Sequence, residues 1–210
     1  MRIIVTSEVS AVARNGAILA ALAGRGHDVV NAGMRGVDRE PELSYIHTGL
    51  LAALLLAGRR ADFIVGGCGT GQGFLNSCLQ YGGVVCGLLR TPLDAWLFRC
   101  INAGACVSLA LNEGFGWAGE VNLRLLFDAF FSVEPGGGYP AHRSVPQADS
   151  RERLARLSFL AHRSMADVVR GMEGDLLMPV LRFPGVRELL DPDTLADRDL
   201  AAAIDARQKS

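Results

Sequence analysis

Along this chain, short β-rich runs alternate with longer stretches whose apolar residues recur at helical spacing. Residues 2–6 open as a strand. Residues 11–25 read as a helix that stops at Gly26, a common place for a helix to end. Residues 28–31 predict a second strand and residues 45–57 an apolar helix. A third strand over 61–65 breaks into glycines and resumes as a helix over 74–81. Strands over 84–88 and 105–111 follow, with helices over 92–101 and 117–131. The strands are almost continuously apolar, as expected of parallel strands covered on both faces. The pattern therefore predicts a three-layer α/β/α sandwich around a five-stranded parallel sheet, Rossmann-like in plan.

The pattern changes after Val133. Residues 134–150 combine glycine, proline and polar residues and read as a linker. Residues 151–210 read as a mostly helical C-terminal extension, with helices over 151–172 and 194–207. Leu176, Leu177, Met178 and Phe183 lie between them and are expected to pack on the core, residues 1–133, or on another subunit.

Composition narrows the function classes. Half of the 210 residues are hydrophobic, enough for a core without disulfides or metals. A net charge of −1 argues against nucleic acid as the main partner. The longest apolar stretch, residues 49–58, is too short to span a membrane. No cationic, apolar leader precedes the first strand, and the five cysteines (68, 78, 86, 100 and 106) form no C-x-x-C pair. Reduced cysteines in a cytoplasmic protein are the simplest account. No His, Cys, Asp or Glu spacing suggests a metal site.

Residues 66–73, Gly-Gly-Cys-Gly-Thr-Gly-Gln-Gly, carry the chemistry. They follow a buried strand, at the sheet edge where open α/β folds bind ligands. Alternating glycines let backbone N–H groups turn toward an anionic or oxygen-rich group. The spacing fits neither G-x-G-x-x-G nor a P-loop, which disfavours a nucleotide. The bland alternative is a tight strand-to-helix turn with Cys68 as a buried filler. Glycine at 67, 69, 71 and 73 exceeds what a turn needs, and favours an active-site loop.

Cys68-Gly-Thr-Gly-Gln-Gly73 resembles the central signature of the type B ribose-5-phosphate isomerase family, which also holds the galactose-6-phosphate isomerase subunits. The first loop, Thr6-Ser-Glu-Val-Ser-Ala11, is similar to the family's Gly-Ser-Asp-His-Ala-Gly. Ile101-Asn-Ala-Gly-Ala-Cys-Val107 stands where the family has His-Asn-x-Ala-Asn-Val, and residues 136–143 echo a late basic element. The resemblance implies a cofactor-free aldose–ketose isomerase working through an enediolate, on a small sugar or sugar phosphate. It implies Cys68 as the base, Thr70 as its hydroxyl partner and Glu8 as the first-loop acid. Gly69, Gly71, Gly73 and Asn102 would form the anion hole. It also implies a homo-oligomer, dimer or tetramer, with sites at subunit interfaces. The alternatives are a non-catalytic sugar- or anion-binding protein on the same fold, and a thiol redox protein, disfavoured because Cys68 lacks a nearby partner in sequence.

Several positions depart from the family pattern. Val9 replaces its phosphate-contacting histidine, Glu113 falls on an arginine position, and Ile101 replaces the ring-opening histidine. The substrate is therefore expected to be an open chain, such as a tetrose or tetrulose phosphate. Arg90, His142 and Arg143 are the candidate anion contacts, and Tyr45 and His47 candidate pocket residues. His27 and His162 read as structural.

Overall fold

The computed structural model describes residues 1–37 and 41–209. Five parallel strands form one sheet in the order β2-β1-β3-β5-β4: β1 Arg2–Val5, β2 Asp28–Asn31, β3 Phe63–Cys68, β4 Cys86–Leu89 and β5 Cys106–Ala110. Ile3, Ile4 and Val5 are paired on both sides, to Val29, Val30 and Asn31 of β2 and to Phe63, Ile64 and Val65 of β3. The chain leaves β1 outward to β2 and then returns to β3 on its other side. In open α/β sheets such a reversal marks the ligand crevice at the C-terminal strand ends, here those of β1 and β3.

Alternate residues of the strands feed two apolar cores. On one face Ile3, Val5, Phe63, Val65 and Val107 meet α1 (Asn15–Leu22), α4 (Pro92–Leu97) and α5 (Gly119–Phe131). Leu126, Phe127 and Phe130 fill that layer from α5. On the other face Ile4 and Ile64 meet α2 (Tyr45–Ala57) and α3 (Gln72–Cys78). The helix α2 is buried almost all round because the C-terminal extension covers the side turned away from the sheet.

That extension is not a separate body. Its helices are α6 (Ser144–Ala161), α7 (Met165–Gly171), α8 (Gly174–Leu181), α9 (Val186–Leu190) and α10 (Arg198–Gln208). Leu177, Val180, Phe183, Leu195, Leu200 and Ile204 share one continuous core with Leu50 to Leu55 of α2. Arg60 fastens the junction through the carbonyls of Leu190 and Asp191, both at 2.9 Å. The helix expected over 151–172 is broken at residues 162–164, where Ser164 caps the next helix by accepting from the Asp167 N–H. Its start also lies earlier, at Ser144, so residues 144–150 are helix rather than linker.

Truncating Leu177 tests this union. Leu177→Ala empties a fully buried site between extension and α2, and is expected to cost about 2–5 kcal/mol. Urea unfolding is expected to show one cooperative transition at lower midpoint; a second, separate transition with the core unaffected contradicts the shared core.

Candidate functional site

The end of β3 is built by close approach of backbones. A Cβ on Gly67 would stand 2.3 Å from the Leu109 carbonyl oxygen on β5, and one on Gly66 2.2 Å from the Phe74 ring. One on Gly73 would stand 2.9 Å from the ring of Tyr45. Gly71 adopts φ +76°, a conformation that favours glycine, and its N–H donates to the Cys68 carbonyl at 3.2 Å. Gly71 therefore closes the turn and is not free to serve the anion hole, a correction to the expectation from sequence. Gly69 has only ordinary contacts around it and a φ outside the left-handed region. Gly73 lies in the first turn of α3, where N–H groups lack intrahelical acceptors.

Cys68 is the last residue of β3 and is buried, with its Sγ 4.0 Å from the hydroxyl oxygen of Thr70. That hydroxyl also accepts from the Gln72 N–H at 3.3 Å, which holds Thr70 over the turn. The carbonyls of Cys68 and Gly69 accept from Leu111, Asn112 and Glu113, so the loop is pinned to the segment after β5.

Glu8 follows β1 at the neighbouring strand end and is only 2% exposed. Its carboxylate accepts from the backbone N–H of Ser10 at 3.0 Å and from the Ser10 hydroxyl. The same Ser10 hydroxyl lies 3.7 Å from where a Gly69 Cβ would be, and Asn112 Nδ2 donates to the Ser10 carbonyl at 2.8 Å. Ser10 and Asn112 thus clip the first loop to the glycine loop. Neither stands out in the sequence, since each is a single small polar residue in a turn. Tyr45 completes the wall by laying its ring against Gly73.

The other expected residues lie elsewhere. His47 has both ring nitrogens engaged: Nδ1 accepts from the Ser44 N–H at 3.0 Å, and Nε2 faces the Asp175 carbonyl at 3.4 Å. It caps α2 and meets α8, so it is not a pocket residue. Arg90 is on the correct edge, where its exposed guanidinium lies 3.4 Å from the Glu113 carboxylate. Asn102 lies before β5, at the opposite edge of the sheet from Cys68, whose register partner is Ala110 at the far end of β5. The turn carrying His142 and Arg143 belongs to that edge too. The chain just before it is tied down by Gly138 N–H to the Cys100 carbonyl at 2.8 Å, and the α6 that follows by Arg151 to the Ile101 carbonyl at 2.7 Å. Within one chain, Asn102, His142 and Arg143 therefore do not join Cys68, because a parallel strand separates its two ends by its whole length. His27 and His162 are structural: His27 packs on the Phe131 ring and His162 Nδ1 meets the Ser158 carbonyl at 2.9 Å.

The fold also gathers Cys78, Cys86 and Cys106, whose sulfurs lie within 4.8 Å of one another. Sequence spacing gave no hint of this, since α3, β4 and β5 each contribute one. Among the described residues, no helix is long and apolar enough to cross a membrane.

The ribose/galactose isomerase family profile matches residues 3–145. A 4-deoxy-L-threo-5-hexosulose-uronate ketol-isomerase, solved in complex with a tartrate, is 34% identical, with 100% of both chains covered and a TM-score of 0.93. A ribose-5-phosphate isomerase from Vibrio parahaemolyticus is 36% identical over 99% of both chains, with a TM-score of 0.91. A ribose-5-phosphate isomerase from Thermotoga maritima is 23% identical, covers 75% of this chain and 96% of its own, and shares the fold at a TM-score of 0.58. No curated protein sequence matches the chain.

Removing the Ser10 hydroxyl leaves one oxygen of a buried carboxylate without its donor. Ser10→Ala is expected to cost about 1–3 kcal/mol of stability. It is also expected to lower kcat/KM about tenfold, as Glu8 and the glycine loop lose their register. Denaturation and steady-state kinetics read the two effects; unchanged kinetics would mean that the clip has no part in the site.

Proposed function

The chain belongs to the ribose/galactose isomerase family, and we propose that it interconverts an open-chain aldose and ketose with Cys68 as the base. The observation that carries this reading is the placement of Cys68, Thr70 and the glycine loop beside buried Glu8, at the crevice between β1 and β3. The Cys68 thiolate removes the proton from C2 of the aldose and returns it to C1. The electron pair passes through an enediolate, whose negative oxygen meets the N–H groups of Gly69 and Gly73. Donors preorganised for a developing oxyanion supply a large part of such a reaction's acceleration. Thr70 orients the sulfur, and Glu8 is the carboxylate available to carry the hydroxyl proton between O2 and O1.

A carboxylate-bearing open-chain sugar fits this site best. Val9, Ile101 and Glu113 replace the residues with which the family holds phosphate and opens rings. The 34% identical relative spans the whole chain, C-terminal helices included, is named for a hexosulose uronate, and was solved with a tartrate, itself a dicarboxylate. A ribose phosphate is the second reading, favoured by the name of the Vibrio relative.

Asn102, His142 and Arg143 serve the reaction only if a second copy brings its opposite sheet edge to the Cys68 loop. Val145, Phe159 and Leu160 of α6 are exposed beside that edge and supply apolar surface for such a contact. The working form in this reading is a homodimer or larger homo-oligomer with shared sites.

Two measurements test the proposal. Cys68→Ala is expected to lose turnover by at least about a thousandfold, together with exchange of the substrate C2 hydrogen with solvent, while remaining folded. Retained exchange in that variant assigns the base elsewhere. Turnover of 4-deoxy-L-threo-5-hexosulose uronate, erythrose 4-phosphate and ribose 5-phosphate is expected to favour the sugar acid; preference for ribose 5-phosphate overturns the substrate assignment but leaves the base intact. For the shared site, mixing inactive Cys68→Ala and Asn102→Ala chains is expected to restore part of the activity in the hybrid, and no restoration counts against a second copy's contribution.

A further inference from the structure

Three of the five cysteines meet away from the candidate catalytic edge. Cys78 ends α3, while Cys86 and Cys106 open β4 and β5 and are partners in the strand register. The sulfurs of Cys78 and Cys106 are 3.8 Å apart, and all three sulfurs lie within 4.8 Å of one another. Cys78 and Cys106 are fully buried, and Cys86 nearly so, in the apolar core that holds Ile64, Phe74 and Tyr81. Hydrogen bonding with Cys106, and then with Cys78, lowers the pKa of Cys86, while burial raises that of Cys106 well above the usual thiol range. A cavity of about 370 Å³ between β4 and α6 opens beside Cys86, lined also by Val84, Leu154, Ser158 and His162.

We propose that Cys78, Cys86 and Cys106 form a binding site for a trivalent metalloid, taken up as its neutral hydroxide, of which arsenous acid is the representative. Three soft sulfurs around one point are the donor set of a thiophilic ion. A pyramidal centre with bonds to sulfur of about 2.3 Å holds its sulfurs roughly 3.3–3.5 Å apart, so Cys78 and Cys106 need to close by about half an ångström and a pair at the 4.8 Å limit by up to about 1.5 Å. Charge selects among such ions. Three thiolates around a monovalent or divalent metal leave a net negative charge in the core, and an unpaired buried charge is costly. Arg151 lines the cavity with its guanidinium held on the carbonyls of Ile101 and Gly136, at 2.7 and 3.0 Å. A trivalent centre with three thiolates is neutral. The exchange is balanced without any oxidant: three bonds from arsenic to oxygen break, three to sulfur form, and each hydroxide leaves as water with one thiol proton. The reagent is itself uncharged and enters through the apolar cavity without desolvating an ion.

The full-length reduced protein is titrated with sodium arsenite and read by intact mass and by X-ray absorption at the arsenic edge. One arsenic per chain is expected, with a mass gain of one arsenic less three hydrogens and a shell of three sulfurs. The three-sulfur shell is expected to persist in Cys68→Ser and to be lost in Cys86→Ser. Absence of a stoichiometric adduct overturns the proposal, as does a shell of fewer than three sulfurs in the unaltered protein, a reading that needs no variant to fold. Competition with zinc(II) and copper(I) tests the charge argument: displacement of arsenic by an equivalent of either ion overturns the choice of a neutral trivalent centre.

Discussion

The close passage of backbone against backbone at the end of β3 is the constraint on which the site depends. Gly67 lies against the Leu109 backbone, Gly66 under the Phe74 ring and Gly73 under the Tyr45 ring, with no room at any of them for a β-carbon. These contacts draw α3 and α2 tightly onto the strand end. The loop that leaves the strand end carries one thiol, buried at the margin of the apolar core, and one hydroxyl 4.0 Å from it. Glycine here serves packing first, and only the amides left over from that packing are available to a ligand. Gly71 shows the division clearly, since its N–H is used to close the turn. Ser10 and Asn112 extend the same rigidity to Glu8, so Glu8 and the glycine loop are held by fixed elements rather than by flexible side chains.

Much of the fold is legible in the sequence because the strands are short, apolar and separated by helices of ordinary length. All five strands and their parallel arrangement follow from that rhythm. The C-terminal part is less legible, for physical reasons. The helix expected over 151–172 breaks where Ser164 starts a new cap, a local hydrogen bond that periodicity does not reveal. The apolar residues of α8 and α9 find their partner in α2, more than a hundred residues earlier, and only tertiary packing shows it.

The candidate site is legible to a similar degree. Cys68, Thr70, Glu8 and Tyr45 all lie at or after the C-terminal ends of strands, with Cys68 4.0 Å from Thr70 and the Tyr45 ring against Gly73. Asn102, His142 and Arg143 belong instead to the N-terminal edge, since each is anchored through the turn that precedes β5. A motif aligned along the sequence says nothing about which edge, or which copy, a residue serves. His47 is a similar case: the residue type suits a pocket, but its ring nitrogens complete a helix cap and a contact to the extension. The two sheet edges therefore hold different candidate residues, Cys68 and the glycine loop at one and Asn102, His142 and Arg143 at the other.

The most direct test of this account is a crystal structure of the protein with an open-chain hydroxamate that mimics the enediolate and ends in a carboxylate. The account predicts the hydroxamate oxygens on the N–H groups of Gly69 and Gly73, with Cys68 Sγ against the carbon that carries the transferred proton. A hydroxamate bound away from the β1–β3 crevice, or with Cys68 turned from it, would contradict the central claim.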